Sequence, residues 1–195
     1  MDSYPPPLSP IMSKTHDKKT PFDVWWPTVK PHFPNVPDII AKDWLYEHWG
    51  SSPFSWIQSR RYDFVMEEMP AAKLPNVLSR VFGFTEGGGP IAHETGRFLC
   101  GDQSAPPTRP WRNDAAWLVS FMKRSGSFPS PIIVLDNRDA HLAREDWTPQ
   151  PVKAYPKALL LAEGHTRHVI GLHLLSTAKL KDRLPICRLI LKSDN

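Results

Sequence analysis

The sequence between residues 158 and 178 reads ALLLAEGHTRHVIGLHLLSTA, and it joins a short apolar run to an amphipathic segment through a glycine. The run at residues 158–162 is uninterrupted and apolar, as expected of a strand that is buried on both faces. From His165 onward the apolar side chains fall largely on one helical stripe, formed by Val169, Ile170, Leu172, Leu174 and Leu175. The stretch therefore predicts a buried strand, a tight turn at Gly164 and a helix.

The predicted turn combines features that favour an anion. Gly164 gives the backbone access to positive φ and lets a ligand approach closely. The first amides of the helix, at Thr166 and just after, have no acceptor within the helix and attract negative charge. Arg167 adds a planar, permanent positive charge, and Glu163 is the natural general base or metal-facing carboxylate. The alternative is that Gly164 serves only as a turn and that Thr166 or His165 caps the helix.

The rest of the C-terminal half predicts the neighbours of this strand and helix. Four further segments carry the periodicity of helices or strands: a helix over residues 114–124 capped by Asn113 or Asp114, a β-branched strand over 131–135, a short helix over 139–146 and a final strand over 184–192. Together they predict a mixed α/β or α+β core over residues 87–195.

The N-terminal half differs in composition from this core. Residues 1–20 combine prolines, serines and lysines and predict a flexible tail. Residues 21–86 are rich in aromatic residues divided by prolines, and they predict a helical accessory region with helices over residues 37–49, 53–65 and 75–82. This region is a candidate surface for nucleic acid or a protein, with ordinary core packing as the alternative.

The glycine-rich segment TEGGGP at residues 85–90 is interpreted as a flexible hinge. It lacks the Lys-Ser/Thr ending of a Walker motif, and it follows no clear strand.

Composition narrows the class of protein. The net charge of +4 and a pI near 9.1 mildly favour anionic partners. Cys100 and Cys187 are far apart and outside any CxxC pair, so the sequence shows neither a zinc cluster nor a secreted disulfide framework. No apolar run reaches 18 residues and the N-terminus lacks a signal-peptide core, which predicts a soluble, cytoplasmic protein without a membrane partner.

Three of these segments together resemble a known family. A helix ending at Gly126, the strand sequence Pro131-Ile-Ile-Val, and the strand ending in Glu163-Gly-His-Thr-Arg occur in the order found in the ParB/sulfiredoxin-like fold, the ParB-like nuclease domain superfamily. The resemblance covers about half of the chain, and the box at residues 163–167 is its most specific part. It matches the acidic D/E-G-H-x-R form of the box. Thr108-Arg109-Pro110 also resembles a segment that precedes the first core helix in partition proteins.

The resemblance implies a nucleotide or phosphate site. Gly164, Thr166, Arg167 and His168 would contact the phosphates of a nucleoside triphosphate or diphosphate, with Arg109 or Arg112 reaching the same anion. Glu163 would be the catalytic carboxylate and His165 a phosphate contact or proton carrier. Mg²⁺ would assist phosphoryl transfer or hydrolysis, and Asp136 would help to hold it. The implied activities are an NTP-dependent phosphotransferase, an NTPase or a nuclease.

Departures from the family narrow this expectation. Chromosome-partition members follow the core with a helix-turn-helix domain and carry paired arginines in the box, whereas this chain stops near Asn195 and has the single Arg167. A DNA-sliding clamp is therefore disfavoured. Sulfiredoxin chemistry needs a cysteine in the equivalent loop, and none occurs between Glu163 and His168. Two alternatives to an enzyme stay open: a non-catalytic nucleotide-sensing or DNA- or protein-binding module, and a purely structural polar network at the turn.

Overall fold

A computed structural model describes residues 9–10, 19–49, 61–104, 115–142 and 154–192. Within them the α-helices are α1 (Phe22–Val29), α2 (Asp38–Ile40), α3 (Gly89–Cys100), α4 (Ala116–Ser125) and α5 (His165–Ser176). The strands are β1 (Tyr62–Pro70), β2 (Val77–Leu78), β3 (Ile132–Asp136), β4 (Leu159–Glu163) and β5 (Arg183–Leu191). The predicted mixed α+β class is confirmed.

The five strands form one mixed sheet in the order β1-β5-β3-β4-β2. β3 is antiparallel to β4 and parallel to β5, while β2 is parallel to β4. The apolar runs predicted as buried strands become the central β3 and β4, whose residues are nearly all buried. Ile133 pairs with Glu163 but Val134 pairs with Leu161, so Ala162 is the extra residue of a β-bulge just before the EGHTR box.

The chain divides into two compact units, and the described parts of residues 65–140 and 156–189 form the larger one. Its hydrophobic core joins one face of the sheet to α3, α4 and α5, and its fully buried members include Leu74, Val77, Met122, Ile132, Val134, Val169 and Ile170. The burial of both faces of the sheet explains why β3 and β4 read as continuous apolar runs.

The described parts of residues 1–64, 141–155 and 190–195 form the other unit. Its core is aromatic, with Trp25, Trp26, Phe33 and Trp44 all buried. The helix expected over residues 37–49 is present as α2 followed by a π-helical segment, Ala41–Tyr46.

α3 and α5 lie side by side and run in the same direction. A Cβ added at Gly96 would lie 2.7 Å from the backbone oxygen of Val169, so only glycine permits this approach of the two backbones. Beyond the end of α3, His173 Nε2 donates to Asp102 Oδ2 at 2.5 Å. Because β2 and β4 are parallel neighbours, the segment that leads to α3 and the turn that begins α5 leave the sheet in the same direction.

Several predictions about helices differ from the structure. Residues 62–65 of the helix expected over 53–65 belong to β1, and residues 53–60 lie outside the described part of the chain. The segment 75–82 contains β2 between two 3-10 turns. Residues 139–142 are not helical, and Ala140 has φ of 64°, while 143–146 lie outside the described residues. The accessory region is therefore not purely helical, because its apolar residues join a sheet built with distant segments.

The hinge expected at residues 85–90 is the start of a helix. Gly87, Gly88 and Gly89 have φ of 61°, 69° and 60°, and Gly89 and Pro90 open α3. The expected tail, residues 1–20, lies outside the description except for 9–10 and 19–20. Within the described ranges, no helix has the length and apolar character needed to cross a bilayer.

Candidate functional site

The turn between β4 and α5 requires glycine for two reasons. Gly164 has φ of 94° and ψ of 27°, a left-handed conformation that other residues adopt at a cost. A Cβ at this position would also lie 2.7 Å from Cγ2 of the buried Ile132 and 3.1 Å from both Nε and Nη2 of Arg167. The positive φ expected from the sequence is present, and the close packing shows how tightly strand, turn and helix fit together.

Arg167 folds back against this turn. Its guanidinium lies beside Gly164, and its Nη1 donates to Ser130 Oγ. Ser130 comes two residues before β3, so the arginine links the start of α5 to the start of β3. Ser130 was not among the residues predicted for the site. The only available signal was a polar residue immediately before the PIIVL strand.

Glu163 is half-buried at the last position of β4, after the bulge at Ala162. Its Oε1 accepts a hydrogen bond from the backbone N–H of Gly164 at 2.8 Å. The carboxylate is therefore held at the beginning of α5, close to where the helix presents its first N–H groups. α5 has no side-chain hydrogen bond from its N-cap residue, which is Gly164 itself.

His165 sits between the charges of the turn. Burial lowers the pKa of its imidazole, the charge of Glu163 opposes that shift, and Arg167 adds to it. The ring is therefore held toward its neutral form, in which one nitrogen donates and the other accepts a hydrogen bond. A neutral ring suits proton acceptance from a ligand better than it suits a cationic phosphate contact.

His168 is inside the protein. Its side chain is fully buried, and its Nε2 donates to the backbone oxygen of Leu74 at 3.3 Å. Nδ1 is buried and makes no hydrogen bond with the described residues. Burial lowers the pKa of His168 to about 4, so the ring is neutral at neutral pH. The structure thus places this predicted phosphate contact in the packing between α5 and the 3-10 segment Ala71–Asn76.

Asp136 lies at the opposite end of the β3–β4 pair. It pairs with Leu159, whereas Ile133 pairs with Glu163. Its carboxylate accepts two hydrogen bonds from the Arg138 side chain, at 2.7 and 2.6 Å, one from the Arg138 backbone N–H at 3.3 Å, and one from Arg188 at 3.0 Å. These arginines, led by Arg138, lower the pKa of Asp136 to about 2. The structure does not bring this predicted metal ligand to Glu163.

Three residues predicted to contact phosphate remain. Thr166 is half-buried in the first turn of α5, next to Arg167. Arg109 and Arg112 lie outside the described residues. Among the side chains that are described, no group of three or more His, Cys, Asp or Glu residues is arranged to hold a metal ion.

A second chain segment leaves the sheet in the same direction as β4. β2 leads through the 3-10 turn Arg80–Phe82 and the glycines of residues 87–89 into α3. β2, which precedes α3, and β4, which precedes α5, therefore have their carboxyl ends on the same side of the sheet. Ligands of α/β proteins commonly bind beyond the carboxyl ends of the strands. This segment was not predicted, because a two-residue strand has no recognisable pattern.

No protein-family model, curated protein or solved structure matches this chain. The resemblance to the ParB/sulfiredoxin-like fold accordingly depends on the residues quoted for it.

Proposed function

We propose that the turn from Glu163 to Arg167 binds the phosphates of a nucleoside diphosphate or triphosphate. We further propose that the chain is a phosphotransferase, NTPase or nuclease of the ParB-like superfamily that acts in the cytoplasm. The observation that supports the site is the Arg167 guanidinium, which lies against the left-handed Gly164 at the start of α5.

The electrostatics of the turn favour an anion. α5 has 12 residues, and its N-terminal end carries the positive end of the helix dipole. Arg167 adds a full positive charge in a planar group that matches phosphate oxygens. Ser130 holds that group from the β3 side, which fixes its direction before any ligand binds. A pre-positioned cation loses less conformational entropy on binding than a mobile one.

Glu163 is the side chain at this turn that is suited to act as a general base. A carboxylate next to a bound phosphate can accept the proton of an attacking hydroxyl or water. Mg²⁺ commonly binds through one or two carboxylates together with substrate phosphates. Glu163 fits that role, whereas Asp136 does not, since both of its oxygens are engaged by arginines at the far end of β3. Mg²⁺ bound there would neutralise part of the charge of the phosphates.

One observation favours a second candidate, a non-catalytic nucleotide-sensing module. Glu163 Oε1 already accepts the Gly164 N–H, so the carboxylate contributes to the structure of the turn. In that case nucleotide binding would control contacts of the accessory region with nucleic acid or a protein.

Binding and turnover measured on the same variants separate these functions. The test uses calorimetric titration and hydrolysis of ATP, GTP and CTP with Mg²⁺, and cleavage of DNA. Arg167→Ala should abolish nucleotide binding, while Arg138→Ala, which removes an arginine at the other end of the sheet, should not. Glu163→Gln should keep binding and lose turnover if the chain is an enzyme.

Wild-type protein that binds nucleotide but turns over neither nucleotide nor DNA would support the sensing module. A folded wild-type protein that binds no nucleotide and cleaves no DNA would overturn both functions.

A further inference from the structure

α4 displays an aromatic pair on its outer face. The Trp117 side chain is 65% exposed, although tryptophan is usually well buried. Phe121 lies one helical turn further on, with the two ring centroids 5.7 Å apart and the rings inclined by 32°. The core-facing side of the helix is formed by Val119 and Met122, which are buried. Phe121 is half-buried and packs against the core of its unit, so Trp117 is the exposed member of the pair.

Positively charged residues lie at the C-terminal end of the same helix. Lys123 and Arg124 form its last turn, and the N–H of Lys181 donates to the oxygen of Gly126 at 2.8 Å, which places the chain at residues 179–181 against the end of α4. We call the set of Trp117, Phe121, Lys123, Arg124, Lys179 and Lys181 the α4 patch.

The four cations of the α4 patch have few partners within the protein. Lys123 Nζ donates to the oxygen of Cys100 at 2.7 Å, and Arg124 Nη1 donates to Ser120 Oγ. Across the described ranges, neither these two residues nor Lys179 and Lys181 form an ion pair with a carboxylate. Two exposed acidic residues lie near these four cations: Asp182 follows Lys181 in sequence, and the charges of Asp102, Lys123 and Lys179 all affect the pKa of the Cys100 thiol. The patch thus has a net positive charge.

We propose that the α4 patch binds single-stranded nucleic acid. The exposed Trp117 ring provides a stacking surface for an unpaired base, and the cations toward the end of the helix neutralise phosphates, which is the combination that single-strand binders use. A duplex hides the faces of its bases, so it would use only the cations. An acidic peptide would likewise use the cations alone, and would leave Trp117 without a function.

The dimensions of the patch fit a short strand. Trp117 and Arg124 are seven residues apart on one helix, a rise of about 10.5 Å. That length corresponds to roughly three nucleotides at a stacked rise of about 3.4 Å each.

The charge of the patch sets the expected salt dependence. If all four cations contact phosphates, log K should fall with log salt at a slope of about −2.8. Affinity should then decrease roughly 50-fold between 50 and 200 mM salt.

The experiment measures fluorescence anisotropy of a labelled twelve-residue oligothymidylate titrated with the full chain. Trp117→Ala should weaken binding by roughly 5- to 150-fold, as for the loss of one stacking platform. Lys179→Ala combined with Lys181→Ala should reduce the salt slope by about 1.4. Met66→Ala, another exposed apolar residue, and Lys73→Ala, a cation on the 3-10 segment Ala71–Asn76, are matched controls that should bind like wild type. Circular dichroism confirms that each variant is folded.

Competition with duplex DNA, polyglutamate and vesicles containing anionic lipid identifies the partner class. Displacement by unlabelled single strands at much lower concentrations than by the others would support the proposal. Absence of oligonucleotide binding, unchanged affinity of folded Trp117→Ala, or equal displacement by one of the other polyanions would overturn it. The proposal is independent of the phosphate turn, so a wild-type protein that binds no nucleotide would leave it standing.

Discussion

Replacement of Gly164 by alanine tests the geometry of the turn most sharply. Alanine at φ of 94° adopts a left-handed conformation at a cost of about 1–2 kcal/mol. Its Cβ would also lie 2.7 Å from Ile132 Cγ2, a buried methyl group that cannot move away without disturbing β3. Overpacking of this kind costs about 1–3 kcal/mol. The free energy of unfolding should therefore decrease by about 2–5 kcal/mol in total.

Gly101→Ala provides the matched control. Gly101 also has a left-handed backbone, with φ of 80°, but nothing lies within 4 Å of the position that a Cβ would take. Its substitution should cost only the backbone term of about 1–2 kcal/mol. The difference between the two variants, about 1–3 kcal/mol, is then the packing term at the turn.

Urea denaturation followed by circular dichroism measures both variants against wild type. The midpoint of Gly164→Ala should lie clearly below that of Gly101→Ala, with similar slopes for all three proteins. Equal midpoints for the two variants would refute the close packing of Ile132 and Arg167 against Gly164.

Three further predictions concern the larger unit. Gly96→Ala should lower the free energy of unfolding by about 1–3 kcal/mol in urea titrations, because the new Cβ would clash with the Val169 oxygen. This loss should exceed the gain from the higher helix propensity of alanine. A variant more stable than wild type would contradict this contact. The pKa of His168 is about 4 in the folded protein and about 6.5 in the unfolded chain. Between these pH values the unfolded state binds one more proton than the folded state. The free energy of unfolding should therefore fall by up to about 3 kcal/mol as the pH drops from about 6.5 to about 4. His168→Gln, which can still donate to Leu74, should reduce this pH dependence, and an unchanged urea-midpoint profile would count against it. Asp136→Asn should lower thermal stability but leave Mg²⁺-dependent nucleotide affinity unchanged by calorimetry, and a loss of that affinity would show that Asp136 does belong to the site.

Local patterns identified the elements that surround the turn. β3, β4, α4, α5 and β5 all lie within a few residues of their predicted positions. Each has a strong signal of its own, either an uninterrupted apolar run or an amphipathic stripe ended by glycine. Gly164 was likewise recognisable, since a lone glycine between a strand and a helix requires an unusual backbone conformation.

Elements that depend on distant partners were missed. β1 has little alternation, and it is a strand because its backbone pairs with a segment more than 100 residues away, as shown by the bond from the Ala71 N–H to the Asp182 oxygen. α3 was hidden by Gly96 and the glycines before it, which weaken a helical pattern. Gly96 is needed for contact with α5, a requirement that no local pattern reveals.

The placement of the site residues could be predicted only in part. Residues 163–167 lie together because they are consecutive, so the sequence was sufficient for them. His168 follows directly, but the helical rotation turns it into the core, toward Leu74. Asp136 required knowledge of strand direction: β3 and β4 are antiparallel, so the carboxyl end of one lies opposite the amino end of the other.

Titration of isotopically labelled protein with ATP and Mg²⁺, followed by amide NMR, tests the phosphate site most directly. We expect saturable shifts at the amides of Gly164, Thr166 and Arg167, with the amide of Gly101 as an internal control that does not move. The same titration of Arg167→Ala should show none of these shifts. If the wild-type amides of the turn stay unchanged at millimolar nucleotide, or if shifts appear only elsewhere, the turn is not a phosphate site.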